Sequence, residues 1–317
     1  MKLSHSLSPP SRLLAKFRVV AAVGGLVLAT TGLRAQATPS DVLAQKTQAQ
    51  LEDYGATFGG VLGVMAIDLT SGQVLAINAD VPFAQASSIK IPIMVELFRA
   101  ARAGELSLDT NVTLTEADVA RGSGRLNEQI DKGPVSVTVR ALLEAMIQHS
   151  DNTATNKLIA LVGMERVNAL MASLGLPNTR LQRVMLDATG AARRNIENIS
   201  TPREMAQLAE MIHRERFPDS TAMIEILKLP DADGWQLAGG GFRGGIPREV
   251  PIASKPGSVR GVQCQTGIVL LANRPFVLSV MAVYLPENAS PVADVARIAF
   301  AHFSTLAVSN QYGSRVR

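Results

Sequence analysis

In the stretch QASSIKIPIM, Gln85 to Met94, Ser87 and Lys90 stand three positions apart among apolar residues. If a helix begins at Ser87, the two side chains lie about 60° apart around it and one turn along, so the amine reaches the hydroxyl. A serine hydroxyl needs a base to become a nucleophile. A lysine serves as that base only when burial or a neighbouring cation lowers its pKa. Ile89, Ile91 and Ile93 are apolar flanks suited to such burial, and a helix start adds backbone N–H groups that could stabilise an oxyanion. The plain alternative is a helix cap followed by an ordinary lysine, since Ser-x-x-Lys arises about once by chance in a chain of this size. Pro92 is a mild objection to the nucleophile reading, because just past the first turn it frees a carbonyl near Ser88.

Two further stretches favour chemistry. HSDNT places Ser150, Asp151 and Asn152 at a helix-to-helix junction, and SKPGS places Lys255 and Gly257 on an expected strand, followed by Ser258. A second hydroxyl, an amide and a strand lysine suit acyl transfer to a carboxylated substrate. Ser150 would relay a proton to the leaving nitrogen, Asn152 would donate to the substrate amide, and Lys255 would hold a carboxylate and lower the pKa of Lys90.

With these three stretches in order, the sequence resembles the penicillin-recognising serine enzymes, and class A β-lactamases in particular. Their motifs are Ser-x-x-Lys, Ser-Asp-Asn and Lys-Thr-Gly. The resemblance covers nearly all of the chain after its first 37 residues and includes flanking text such as IPREVPIASKPGS and SDNTATNKLI. It implies Ser87 as acylated nucleophile, Lys90 as proton acceptor, Ser150 as proton relay, Asn152 as amide donor and Lys255 as carboxylate anchor, with Gly257 and Ser258 beside the substrate. Backbone N–H groups of Ser87 and Ser258 would form the oxyanion hole. The implied substrate is a β-lactam or a D-Ala-D-Ala-like peptide, taken by a monomer without a cofactor.

Two departures stand against the family pattern. Class A enzymes carry a glutamate, in a Glu-x-x-Leu-Asn context, that activates the water for deacylation. Here the segment is TRLQRVMLDATGAARRNIENISTP, and anchoring it on Thr179 to Leu181 and on Pro202 brings Met185 to the glutamate's place, with Arg183 and Asn198 as the expected closing pair. A thioether cannot take a proton from water. Asp187 is the nearest carboxylate, a displaced base or a loop anchor, and Glu197 lies further along. The second departure is Pro256, which replaces the hydroxyl residue of the third motif and removes a donor to the substrate carboxylate. A D,D-peptidase or esterase, and a binding module without turnover, are therefore the competing readings.

The elements that must position these residues follow from periodicity. VLGVMAIDL and QVLAIN flank a tight turn at Thr70 to Gly72 and read as two strands, while PIASKPGS, QCQTGIVLLA and PFVLSVMAVYL read as strands near the other end. Between them, VTVRALLEAMIQ and ERVNALMASLG carry apolar residues at helical spacing. TPREMAQLAEMI opens with Thr201, Pro202 and Glu204 in the pattern of a capping box. The expected fold is α/β plus all-α: an antiparallel sheet built from both chain ends with flanking helices, and a central helical subdomain. The expected boundaries are 38–86 with 217–317 for the α/β part and 87–216 for the helical part, with a cleft between them for a site.

Composition narrows the partners. The 317-residue chain is 47% hydrophobic, enough for a substantial core. Residues 1–37 hold Lys2, Arg12, Lys16, Arg18 and Arg34, no acid, an apolar run from Val19 and a small-residue AQA site, the order of a secretory signal cleaved near Ala37. The rest carries 26 Lys and Arg against 27 Asp and Glu, a formal charge of −1, which gives no footing for nucleic acid. The protein is expected to be exported, to a periplasm or outside the cell, without a stable membrane anchor. Cys264 is the one cysteine, so no internal disulfide forms, and it reads as a buried strand residue. His5, His149, His213 and His302 show no ligand-like spacing, so no metal is expected. The glycines Gly239 to Gly241, Gly244 and Gly245 lack a following Gly-Lys-Ser/Thr and read as a loop.

Overall fold

The computed structural model describes residues 37–186, 195–232 and 241–316. The expected signal segment lies outside them except for Ala37, and so does Asp187.

The described chain opens with helix α1 (Pro39–Thr57), strands β1 (Val61–Asp68) and β2 (Val74–Ile77), and the two-residue strand β3 (Phe83–Ala84). A 3₁₀ turn (Ala86–Ile89) then runs into α2 (Lys90–Arg102). The middle of the chain holds β4 (Asn111–Leu114), α3 (Leu126–Ile130), β5 (Val135–Thr138), α4 (Val139–Gln148), α5 (Asn152–Val162) and α6 (Met164–Ser173). After β6 (Ile199–Ser200), α7 (Pro202–His213) and α8 (Ser220–Ala232), the chain returns to β7 (Ile252–Val259), β8 (Val262–Val269), β9 (Phe276–Val283) and α9 (Pro291–Ala307).

Strands from both ends make one antiparallel sheet in the order β2-β1-β9-β8-β7, as the sequence pattern leads one to expect. Both faces are covered, and alternation sorts the side chains. From β1, Leu62, Val64 and Ala66 face a core shared with Val292, Val295 and Phe303 of α9, while Met65 and Ile67 join the larger core that holds Met205 and Leu208 of α7. That larger core runs on through α2, which packs against α4, α5 and α6.

β7 is the edge strand on the side of the 3₁₀ turn. Its position explains why Pro256 is tolerated: an edge strand has one side free of ladder hydrogen bonds, so a missing N–H there costs little. The objection from Pro92 also dissolves. The α-helix starts at Lys90 rather than Ser87, so Pro92 falls within its first turn, where backbone N–H groups have no intrahelical partner.

Other elements differ from the sequence reading. The middle block carries the ribbon β4–β5, and its β6 pairs with β3 from the preceding segment, strands of four and two residues too brief to show a period. The capping box at Thr201 is half formed: Thr201 Oγ1 accepts from Glu204 N at 3.1 Å. The Glu204 carboxylate turns instead to Asn178 N, Asn178 Nδ2 and Thr179 Oγ1 at 2.7–3.0 Å, bracing the chain a few residues after α6.

Candidate active site

Ser87 sits in the middle of a strained turn. Ala86, just before it, has φ 40°, a left-handed conformation unusual for a residue with a Cβ. Ser88 N closes the turn on Gln85 O at 2.9 Å, and Lys90 N donates to Ser87 O and Ser88 O. The turn delivers Lys90 to the start of α2 with its side chain directed at the serine: Lys90 Nζ lies 3.1 Å from Ser87 Oγ.

The amine is fully buried and has three further neighbours: Ser150 O at 2.8 Å, Ser150 Oγ at 3.0 Å and Asn152 Oδ1 at 3.2 Å. Burial holds its pKa well below the ordinary lysine value, the nearby Lys255 charge depresses it further, and Asp151 works in the opposite direction. Lys90 is thus placed and tuned to accept a proton.

Ser150 occupies another left-handed position, φ 55°, at the junction between α4 and α5. Asp151 keeps that junction in shape. Its Oδ1 caps α5 by accepting from Ala154 N at 2.9 Å, and its Oδ2 accepts from Arg125 N and Leu126 N at 2.8 and 3.0 Å. The loop before α3 is also tied down by Ser123, whose Oγ donates to Ser150 O at 2.7 Å. Asn152 Nδ2 donates to Arg121 O at 3.2 Å. Ser123 was not singled out from the sequence, because a serine 27 residues from Ser150 carries no periodic or motif signal.

Lys255 is also fully buried, on β7, with Nζ 2.9 Å from Pro256 O, and burial lowers its pKa to about 7. Gly257 follows at the point of closest approach between strand and turn. A Cβ there would lie 2.7 Å from Ser87 N, 2.8 Å from Gln85 O and 2.8 Å from Ser88 N, so only glycine fits. Ser258 comes next, exposed, beside a cavity of about 250 Å³ that is also lined by Ser87, Asn152, Met185, Leu186 and Val259.

Met185 is mostly buried in the wall of that cavity. The side chain of Asn156 on α5 grips its backbone: Met185 N donates to Asn156 Oδ1 at 2.7 Å, and Asn156 Nδ2 donates to Met185 O at 3.1 Å. The expected Arg183–Asn198 closure exists, but through the backbone of Arg183: Asn198 Oδ1 accepts from Gln182 N and Arg183 N, and its Nδ2 donates to Arg183 O. The Arg183 guanidinium pairs with Glu197 at 2.6 Å, so the carboxylate at this cavity is bound to a cation. Among the described residues no group of three or more His, Cys, Asp or Glu is placed to hold a metal ion.

A serine at the head of a buried helix, facing a lysine-bearing edge strand of a five-stranded antiparallel sheet, is the architecture of class A β-lactamases. The profile of the β-lactamase enzyme family matches residues 44–303. The chain belongs to that family. It is 27% identical to β-lactamase ROB-1 of Haemophilus influenzae over 259 residues, 80% of this chain and 81% of the relative. It is 28% identical to β-lactamase AST-1 of Nocardia asteroides over 264 residues, 80% of each. Among solved structures, a β-lactamase from Sphaerobacter thermophilus superposes with a TM-score of 0.71 at 29% identity, covering 83% of this chain and 97% of that one. PBP-A superposes with the same TM-score at 26% identity, covering 83% and 96%.

Proposed function

We propose that this protein is an exported, monomeric serine hydrolase that is acylated at Ser87 by β-lactams and releases the acyl group slowly. The observation that carries the reading is the position of Lys90 Nζ, 3.1 Å from Ser87 Oγ and 3.0 Å from Ser150 Oγ. In the neutral form the amine takes the Ser87 proton as Oγ attacks the β-lactam carbonyl. The developing oxyanion is met by the N–H groups of Ser87 and Ser258, which the fit of Gly257 against the turn keeps together. Ser150 passes the proton to the departing ring nitrogen, Asn152 contacts the substrate amide, and protonated Lys255 draws in the substrate carboxylate.

Deacylation is where this chain departs from its relatives. Water needs a base beside the ester, and Met185 offers only a thioether. Glu197 is held in an ion pair with Arg183 at 2.6 Å. With neither of these described residues offering a free base, the acyl-enzyme accumulates; Asp187, outside the described residues, is the remaining candidate to activate water. The basic, then apolar, then small-residue order of residues 1–37 supports export, and among the described residues no helix is long and apolar enough to cross a membrane.

Met185 also favours a second reading, a D,D-peptidase or esterase whose natural acyl donor is a cell-wall peptide or a small ester. One of the solved relatives, a mutant of PBP-A, is an acyl-enzyme complex with penicillin G, at 25% identity to this chain. A binder without turnover has little use for two buried lysines. Intact-protein mass followed over time after adding benzylpenicillin, with Ser87→Ala as control, tests the proposal. A persistent adduct on the wild type alone supports it. Rapid loss of the adduct with drug consumption contradicts slow release, and no adduct at all rejects acylation by β-lactams.

A further inference from the structure

Cys264 lies directly behind the nucleophile's turn, on β8 and opposite Gly257 in the sheet register. Its sulfur is 2.8 Å from Gln85 O, the carbonyl that closes the turn carrying Ser87, and 3.3 Å from Ser88 Oγ. Ser88 Oγ in turn donates to Lys255 O at 3.0 Å. A longer contact, 3.4 Å, joins the sulfur to Gly257 O. Two buried side chains thus tie the turn to the sheet on either side of the glycine that touches Ser87 N.

We propose that Cys264 is a positioning residue for acylation: its S–H donates to Gln85 O and, together with Ser88, sets how far Ser87 N stands from β7. The role rests on the acylation of Ser87 proposed above. The oxyanion hole needs N–H groups from two separate elements, the Ser87 turn and the end of β7, to converge on one oxygen. A shift of about 1 Å in such a constellation can cost on the order of 100-fold in rate. Ala86 in its left-handed conformation stores strain that would otherwise relax the turn, so a bond to the carbonyl just before it is well placed to hold the geometry. Burial raises the thiol pKa to about 11, so the group remains an S–H donor at neutral pH.

Donor and volume can be separated by substitution. Cys264→Val removes the donor and adds a methyl, so that melting temperature must report any steric cost, and Cys264→Ser keeps a donor and gives up bulk. Acylation rate constants are measured by intact mass with benzylpenicillin and with p-nitrophenyl acetate, alongside melting temperature and the dissociation constant of the non-covalent complex. Cys264→Val is expected to acylate at least tenfold more slowly than wild type with an unchanged dissociation constant and a melting temperature near the wild-type value. Cys264→Ser is expected to stay within about threefold in rate although it melts earlier. If Cys264→Val acylates like the wild type, or if rates simply follow melting temperature, the thiol is only packing and the proposal fails. Lack of wild-type reaction with penicillin alone rejects the β-lactam reading and leaves the ester comparison to decide the role of Cys264. Lack of reaction with both reagents overturns both.

Discussion

Asn156 holds Met185 by both backbone groups, at 2.7 and 3.1 Å, so the backbone of this cavity-wall residue is fixed in place. Met185→Glu should therefore put a carboxylate at a prepared position. A positioned general base contributes about 10²–10⁴-fold, and the adduct formed with benzylpenicillin should decay at least 100-fold faster than on the wild type. Adduct lifetimes by mass spectrometry check this. An unchanged lifetime would mean that the wall faces away from the ester.

The acylation rate should depend on pH through both buried lysines. The active form needs Lys90 neutral and Lys255 charged. The rate rises as Lys90 loses its proton, at a pH well below 10.5 because burial and then the Lys255 charge depress it, and falls as Lys255 loses its own near 7. The two limbs belong to the coupled pair. Lys255→Gln should remove the falling limb, shift the rising limb to higher pH and weaken binding of carboxylated donors. Rate profiles from pH 5 to 10 give the answer.

The same lysines should cost stability. Lys255 titrates at about 7 in the folded chain against 10.5 ordinarily, so between these values the unfolded state binds more protons. Stability from this group therefore rises with pH across that window, and its penalty is greatest below the folded value. Lys255→Met should raise the melting temperature at pH 7 by several degrees while slowing acylation, and the gain should shrink toward pH 10. Calorimetry at the two pH values tests the sign.

Gly257→Ala should damage function through backbone contact alone. The added methyl meets Ser87 N, Ser88 N and Gln85 O, all main-chain atoms within 2.8 Å, so turn and strand must part. Overpacking of this kind costs about 1–3 kcal/mol, and acylation should fall about 100-fold or more as the oxyanion hole opens. Unfolding midpoints and acylation rates together test it. A drop in stability with normal acylation would show that the hole does not depend on this contact.

The asymmetry between Ser87 and Ser123 shows how far the sequence could be read. Ser87 and Lys90 are separated by one helical turn, so spacing alone brings them together, and the near-continuous apolar runs of β1 and β9 mark strands with both faces buried. Ser123 Oγ and Cys264 Sγ reach the distant backbone carbonyls of Ser150 and Gln85, and such contacts leave no pattern in a linear chain.

The order of residue types by itself determined the fold class, the spacing that pairs Ser87 with Lys90, and the absence of a glutamate at position 185, because each depends on local periodicity or on short motifs. Tertiary structure decided the rest. Ser150 Oγ reaches Lys90 across 60 residues, Gly257 touches the Ser87 turn from the far end of the chain, and Glu197 is bound by Arg183 instead of standing free. Proton transfer depends on distances of about 3 Å and on exclusion of water, and both arise only when packing buries two lysines from opposite ends of the chain in one place.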